Sequence, residues 1–159
     1  MGLTERITDP RELRGWPGEI PVAQQYTVGP AGERFFRGIK DKGQLMGARC
    51  SQCQVLYLPP RLYCEQCFSE LIEWEEAPNR GRVHSFTVLH VDLDGNRLPE
   101  PELFAVVQID GSHGGLIHRL RKVRPEDVYI GMPVETVFRK KQQRTGSILD
   151  IEYFRPVRA

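Results

Sequence analysis

Four cysteines, and no others, occur in this chain of 159 residues, at Cys50, Cys53, Cys64 and Cys67. They form two Cys-x-x-Cys pairs separated by ten residues. This spacing constrains the fold more than any other feature. Two such turns meeting face to face supply four thiolates to a tetrahedral zinc ion, each sulfur about 2.3 Å from the metal. Four protein ligands leave no coordination position for water or substrate, so the metal is expected to hold shape and not to do chemistry. Iron in a rubredoxin-like site uses the same geometry, and spacing alone leaves iron open beside the favoured zinc. A disulfide framework would suit a small secreted domain, but the opening Met-Gly-Leu-Thr-Glu-Arg has no apolar signal segment. The expectation is a cytoplasmic, reduced protein. A thioredoxin-like redox pair would need one motif in a βαβ context, not two in tandem. Gln54 follows the first pair where knuckles of this kind often carry Gly, which leads one to expect a less tight turn.

The length fits one medium domain or two small ones, and a hydrophobic fraction of 40% can support a core. The cysteine ribbon alone is too small to fold without its metal. No stretch approaches the ~20 apolar residues of a membrane span. Net charge is +1, so nothing global advertises a polyanion partner. Locally, Glu65 to Glu76 holds five acidic residues and no Lys or Arg, and His118 to Arg144 holds eight basic residues against three acidic ones. The plain reading is two differently solvated surfaces; the sharper one is an uncompensated acidic face for a protein partner and a basic face for an anionic ligand.

Residues 1–29 are punctuated by Pro10, Pro17, Gly18, Pro21 and Gly29 and read as an extended arm that wraps a neighbour or stays partly mobile. Pro30 opens a helix with Phe35, Phe36 and Ile39 on its apolar side, and Gly43 stops it. In the ribbon, Leu56–Leu58 suits a strand, Pro59-Pro60-Arg61 an extended turn, and Leu71, Ile72 and Trp74 a return strand. From Gly81 the pattern is all-β, with strands expected over Arg82–Val91, Leu103–Asp110, Leu116–Arg121, Pro133–Arg139 and Ile148–Phe154. A helical turn at Pro125 falls between the third and fourth of them. Gly111–Gly115 lacks the Gly-Lys-Ser/Thr of a phosphate loop and reads as a hairpin connection. The fold class is therefore mainly β with an N-terminal helix: a rubredoxin-like zinc ribbon followed by a five-stranded OB-fold barrel. The division is an arm and helix over 1–44, the four-cysteine ribbon over 45–78 and the barrel over 79–159.

This order of arm, helix, ribbon and barrel resembles the zinc-ribbon/OB-fold family of acyl-CoA-associated proteins, long carried as a domain of unknown function. The resemblance runs from Thr27 to Val157. It is carried by Gly29-Pro-Ala-Gly-Glu-Arg-Phe-Phe-Arg-Gly38, Cys50-Ser-Gln-Cys53, Pro59-Pro-Arg61, Cys64-Glu-Gln-Cys67, Gly81-Arg-Val-His-Ser-Phe-Thr-Val88, Gly131-Met-Pro-Val134 and Phe154-Arg-Pro156. It implies an accessory subunit of thiolase-like enzymes that bridges partner subunits or helps shape a path for a CoA thioester.

The residues themselves argue against an enzyme. Every cysteine is assigned to metal, no Gly-x-Ser-x-Gly elbow occurs, and the four histidines are scattered. Two functional classes follow. One is a non-catalytic scaffold subunit of a thiolase-like acyl-CoA-processing enzyme. Phe35, Phe36 and Arg61 are its candidate contacts to acyl-CoA or partner, zinc is its structural cofactor, and acyl-CoA its candidate ligand. Self-association as a homo-oligomer stays open. The other class is a single-stranded nucleic-acid binder, since OB barrels and zinc ribbons hold such strands with basic grooves and stacking aromatics. The acidic run opposes it, and Phe86, Phe104 and Phe138 are expected mostly in the core.

Overall fold

The structure is a computed structural model, and it describes Asp9, Arg11 and residues 26–157. Most of the arm expected over 1–29 lies outside the described residues. A helix, α1 (Gly29–Arg37), is followed without a break by a π-helical turn over Gly38–Lys42. Pro30 occupies the first turn, where its missing N–H costs nothing. Gly43, in the left-handed region at φ 67°, ends the element by returning its N–H to Ile39 at 3.0 Å. The widening of the last turn has a local cause. A Cβ at Gly38 would stand 2.4 Å from Met46 Cγ and 2.9 Å from the Gln44 carbonyl, so the chain after the helix folds back directly over this glycine. Sequence periodicity indicates the helix but not this close return.

Three short strands make the ribbon: β1 (Leu45–Arg49), β2 (Leu56–Tyr57) and β3 (Glu73–Ala77), antiparallel in the order β2-β1-β3. The return strand starts later than the apolar residues Leu71 and Ile72 suggest, because Leu71 turns into the ribbon's core while its N–H bonds the Leu62 carbonyl. The barrel strands are β4 (Arg80–Val91), β5 (Arg97–Ile109), β6 (Leu116–Arg119), β7 (Pro133–Phe138) and β8 (Ile151–Pro156), in the order β6-β5-β4-β7-β8. The sheet closes where Leu120 bridges Phe154 and the Arg121 N–H reaches the Phe154 carbonyl at 2.9 Å. A 3-10 turn at Pro125–Asp127 connects β6 to β7. Five strands with this closure and insertion form the OB-type barrel. β5 begins six residues before its apolar run, because it carries Pro99 and Pro101 where pairing with β4 jumps from Val91↔Arg97 to Leu89↔Glu102. Prolines are tolerated at such irregularities since no ladder N–H is needed there.

One core joins these parts. Phe35 and Ile39 from the helix, Leu45, Leu56 and Leu58 from the ribbon, and Val83, Val107, Ile109, Val134, Ile151 and Phe154 from the barrel form a single buried cluster. A second, smaller cluster of Ala48, Cys50, Tyr57, Cys64 and Leu71 fills the ribbon itself. Among the described residues, no helix is long and apolar enough to cross a membrane.

One buried charge supports the end of the barrel. Ile148–Asp150 forms a 3-10 turn, not the strand start that its apolar residues suggest, and Asp150 is fully buried. Its carboxylate accepts N–H bonds from Thr145 at 2.9 Å, Gly146 at 2.7 Å and Ser147 at 3.2 Å. Burial alone would push this carboxyl up, but the three amides and the Thr145 hydroxyl together outweigh it and hold the carboxyl below its usual range. A carboxyl depressed in the folded state stabilises above its unfolded value, near pH 4, and loses that contribution as pH falls through the folded value. Asp150→Asn is therefore expected to cost on the order of 2–3 kcal/mol at pH 7, since an amide NH₂ must face the loop's N–H groups. Urea unfolding of both proteins should show the gap narrowing as pH falls from about 4 through the folded value; a gap that does not change with pH contradicts this account.

Candidate metal centre

The two cysteine turns have matching backbone geometry. In the first, the Gln54 N–H reaches the Cys50 carbonyl at 2.8 Å and the Cys50 N–H reaches Val55 at 2.9 Å. In the second, the Phe68 N–H reaches the Cys64 carbonyl at 3.1 Å and the Cys64 N–H reaches Ser69 at 2.9 Å. The residue that closes each turn lies in the left-handed region, Gln54 and Phe68 both at φ 58°. The absence of Gly at position 54 therefore does not loosen the turn. Gln54 adopts the conformation glycine favours, and its side-chain amide donates to the Ser51 carbonyl at 2.7 Å, which offsets part of the strain.

The turns bring four thiols together. Their sulfurs all lie within 4.8 Å of one another, with Cys50–Cys67 at 3.5 Å and Cys53–Cys64 at 3.8 Å. A tetrahedron with sulfur about 2.3 Å from zinc has sulfur–sulfur edges of about 3.8 Å, so the cluster has the size of a zinc site. These separations are far too long for disulfides, and all four cysteines are free. Backbone N–H groups already point at the sulfurs, from Cys53 to Cys50 Sγ at 3.3 Å and from Gln66 to Cys64 Sγ at 3.4 Å.

The electrostatics of the bare cluster point the same way. The Cys64 thiol is drawn down to about 6, first by the Tyr57 hydroxyl and then by backbone N–H groups, against its burial. The Ser69 hydroxyl and the Cys53 N–H lower Cys50. Cys53 is pushed up to about 12, first by Cys67, then by burial and the other sulfurs. Four neighbouring thiolates cannot all ionise unaided, and a divalent cation removes that conflict. Cys50, Cys53, Cys64 and Cys67 would hold a structural zinc ion, which supplies cross-linking and no open coordination position.

Two hydroxyls that the sequence reading passed over belong to this centre. Tyr57, read as a strand residue at the start of a ribbon tip (57–63) expected to anchor the ligand or partner, is instead fully buried; its hydroxyl lies 3.3 Å from Cys64 Sγ and accepts the Glu65 N–H at 3.2 Å. Ser69 Oγ lies 3.1 Å from Cys67 Sγ and 3.4 Å from Cys50 Sγ. A Ser two residues past the last cysteine was the available signal. Beyond Tyr57 the centre meets the barrel. The His113 N–H bonds the Leu56 carbonyl at 2.7 Å, and the Leu58 N–H bonds the His113 carbonyl at 2.9 Å.

The candidate contact residues lie on different elements. Phe35 is 4% exposed and stands edge-to-face on Phe36 with ring centroids 5.4 Å apart. Phe35 belongs to the shared core and Phe36 packs against it, half-buried. Burying one such ring is worth roughly 1.5–3 kcal/mol to folding, which accounts for Phe35 without any ligand. Arg61 sits on the ribbon, partly exposed, ion-paired to Glu65 and 5.5 Å above the Tyr57 ring. The acidic run is not uncompensated. Arg61 holds Glu65, Arg49 holds Glu75, and Lys42 holds Glu76 at 2.9 Å. These partners lie outside the run in sequence, which is why it looks bare in one dimension.

The barrel presents a cleft of about 710 Å³ between Leu98–Leu103 and Arg119–Val123, with Arg119, Arg121 and Lys122 beside Glu100 and Glu102. Arg119 is engaged there, 3.2 Å from Glu102 and 5.4 Å above the Phe104 ring. The barrel aromatics Phe86, Phe104 and Phe138, expected mostly in the core, are mostly outside it. Phe138 packs against the core, whereas Phe104 lies under Arg119 and Phe86 is exposed. Of the histidines, His118 is buried with Nδ1 unpartnered, and burial chiefly lowers its basicity. His113 is held against Glu65 at 3.4 Å.

Freshly purified protein should carry one zinc per chain by elemental analysis. Stripping it with a strong chelator, or Cys64→Ser, should remove the cross-link and lower Tm by roughly 10 °C, the shift that about 3 kcal/mol or more produces in a chain of this size. Metal-free protein with an unchanged Tm contradicts a structural role.

Comparison with known proteins places this geometry. Residues 37–73 match the family described as the ChsH2 rubredoxin-like zinc ribbon domain, and residues 74–139 the ChsH2 C-terminal OB-fold domain. A DUF35 domain-containing scaffold protein of Methanocaldococcus jannaschii is 32% identical over 128 residues, covering 78% of this chain and 89% of the relative. A protein of the same description from Pyrococcus furiosus is 31% identical over 126 residues, covering 78% and 91%. Among solved structures, a DUF35-family protein of unknown function from Sulfolobus solfataricus is 32% identical, with TM-score 0.59 over 69% of this chain and 78% of that one. The structure described as the Ltp2-ChsH2(DUF35) aldolase shares the fold at 24% identity, with TM-score 0.60 over 83% of this chain and 98% of that one. The chain belongs to the DUF35 family, whose rubredoxin-like zinc ribbon and OB-fold barrel it carries in that order.

Proposed function

We propose that this chain is a non-catalytic scaffold subunit of a thiolase-like, acyl-CoA-processing enzyme. The observation that carries the reading is the closed four-thiolate cluster, which commits every cysteine of the chain to holding shape. Relatives described as scaffold proteins align with more than three quarters of the chain and support it. The thiolase-like class of the partner is what the family resemblance implies. The barrel cleft beside Arg121 and Lys122 is the place where the phosphates of a CoA thioester would find cationic partners, and Arg61 on the ribbon is a second candidate contact. Phe36, half-buried, remains the helix residue a partner can reach; Phe35 serves it from below.

The nucleic-acid reading is weaker. Of the three barrel aromatics that would have to stack bases, Phe104 and Phe138 are covered by the guanidinium groups of Arg119 and Arg144 at 5.4 and 5.7 Å, and Phe86 is left as the one exposed face. Single-strand binding needs free aromatic faces along a basic groove.

Co-expression with the thiolase-like enzyme of the same cell tests the proposal. The expected outcome is one complex on size exclusion at micromolar concentration, with the enzyme's activity or stability raised and no acyl-CoA turnover by this chain alone. Two separate peaks with unchanged enzyme activity, or robust turnover by the isolated chain, overturn it.

A further inference from the structure

The four sulfurs of the centre are not hydrogen-bonded alike. A zinc-bound thiolate has no proton, so every hydroxyl near it must be the donor. Cys64 Sγ receives the Gln66 N–H at 3.4 Å and the Tyr57 hydroxyl at 3.3 Å. Cys50 Sγ receives the Cys53 N–H at 3.3 Å and has Ser69 Oγ at 3.4 Å. Cys67 Sγ is the nearer of Ser69's two sulfurs, at 3.1 Å. Among the described residues no N–H or O–H is placed on Cys53 Sγ; its neighbours in that range are sulfurs, Cys64 Sγ at 3.8 Å among them. The two turns are otherwise alike in backbone, so the difference between Cys53 and Cys67 comes from one side chain. Ser69 follows the second turn, while Val55 holds the matching position after the first and offers no donor.

A donated hydrogen bond draws charge from a thiolate and makes it a poorer nucleophile, and partners outside the ligand set tune a metal site in this way. Cys53 keeps its charge, and it is only half-buried. Cys67 is the more exposed of the two but carries the Ser69 bond. We propose that Cys53 is the point at which the zinc centre is open to soft electrophiles, and that the hydroxyls of Tyr57 and Ser69 are positioning groups that protect Cys64 and Cys67, as the Cys53 N–H protects Cys50. In the modification, a lone pair of Cys53 Sγ attacks the electrophilic carbon. The S–C bond forms, the bond to the leaving group breaks, and the leaving group departs with its electron pair. No oxidant is required. The product is a neutral thioether, a weaker zinc ligand, so alkylation of this one residue opens the ribbon.

The test is alkylation of the zinc-loaded full chain by sub-stoichiometric iodoacetamide, with the modified residue located by tandem mass spectrometry and zinc release followed with a chromogenic chelator. In the wild type the first thioether should appear on Cys53, at least about threefold faster than on Cys67, and zinc release should track it. Ser69→Ala should bring Cys67 up to the Cys53 rate, and Ser69→Thr, which keeps the hydroxyl, should retain the wild-type order. Tyr57→Phe should accelerate Cys64 alone, read in molecules that retain zinc at the start. Labelling of the more exposed Cys67 first in the wild type overturns the proposal. So does an unchanged order in Ser69→Ala, or all four thiols reacting together from the start. None of these readouts depends on complex formation, so the scaffold reading stands or falls separately.

Discussion

The joining of ribbon, helix and barrel depends on a short seam between ribbon and barrel. Leu56 and Leu58 exchange backbone hydrogen bonds with His113 in the turn between β5 and β6. The contact is tight, since a Cβ at Gly114 would lie 2.4 Å from the Leu58 carbonyl oxygen. Between those two residues stands Tyr57, whose hydroxyl meets Cys64 and whose ring lies edge-to-face on His113 at 5.6 Å. A three-residue segment, β2 and Leu58, thus touches the metal ligands on one side and the barrel on the other. The shared core follows from it, because Leu56 and Leu58 flank Tyr57 and point into the cluster that also holds Phe35 and Val107.

This arrangement suits a rigid adaptor. The metal centre cross-links the ribbon, the seam fixes the ribbon on the barrel, and the helix closes over both through Phe35 and Ile39. Ion pairs extend the same logic to the surface. Lys42 at the end of the helix grips Glu76 on β3, and Arg144 donates to the Ile39 carbonyl at 3.5 Å from the far end of the chain. These residues are spent on holding the parts together. Arg121 and Lys122, on the barrel cleft, are not spent in this way.

Much of the fold was legible in the sequence because its strongest signals are local. Cysteine spacing, β-branched runs and Gly or Pro punctuation each report on a few neighbouring residues. What sequence reasoning missed depends on pairs distant in the chain. The π turn at Gly38 is set by Met46 folding over it, and the early start of β5 through Pro99 and Pro101 is set by its irregular pairing with β4. Three of the five carboxylates of the acidic run are paired by Lys42, Arg49 and Arg61, none of them within it. The same applies to the centre. Its four ligands could be read from spacing, but Tyr57 and Ser69 become visible only when the second turn folds against β2. Gln54 teaches the converse lesson: a missing glycine does not imply a different backbone when a side-chain hydrogen bond offsets the strain.

The central claim is that the metal acts through Tyr57 and the seam on the barrel, and not on the ribbon alone. Amide hydrogen exchange with and without zinc tests this most directly, since it resolves opening free energies segment by segment. The account predicts that removing zinc deprotects the Leu58 and His113 amides together with the cysteine turns, while the β4–β5 ladder around Val83 and Val107 keeps its protection. Unchanged protection at Leu58 and His113 in the stripped protein would contradict it.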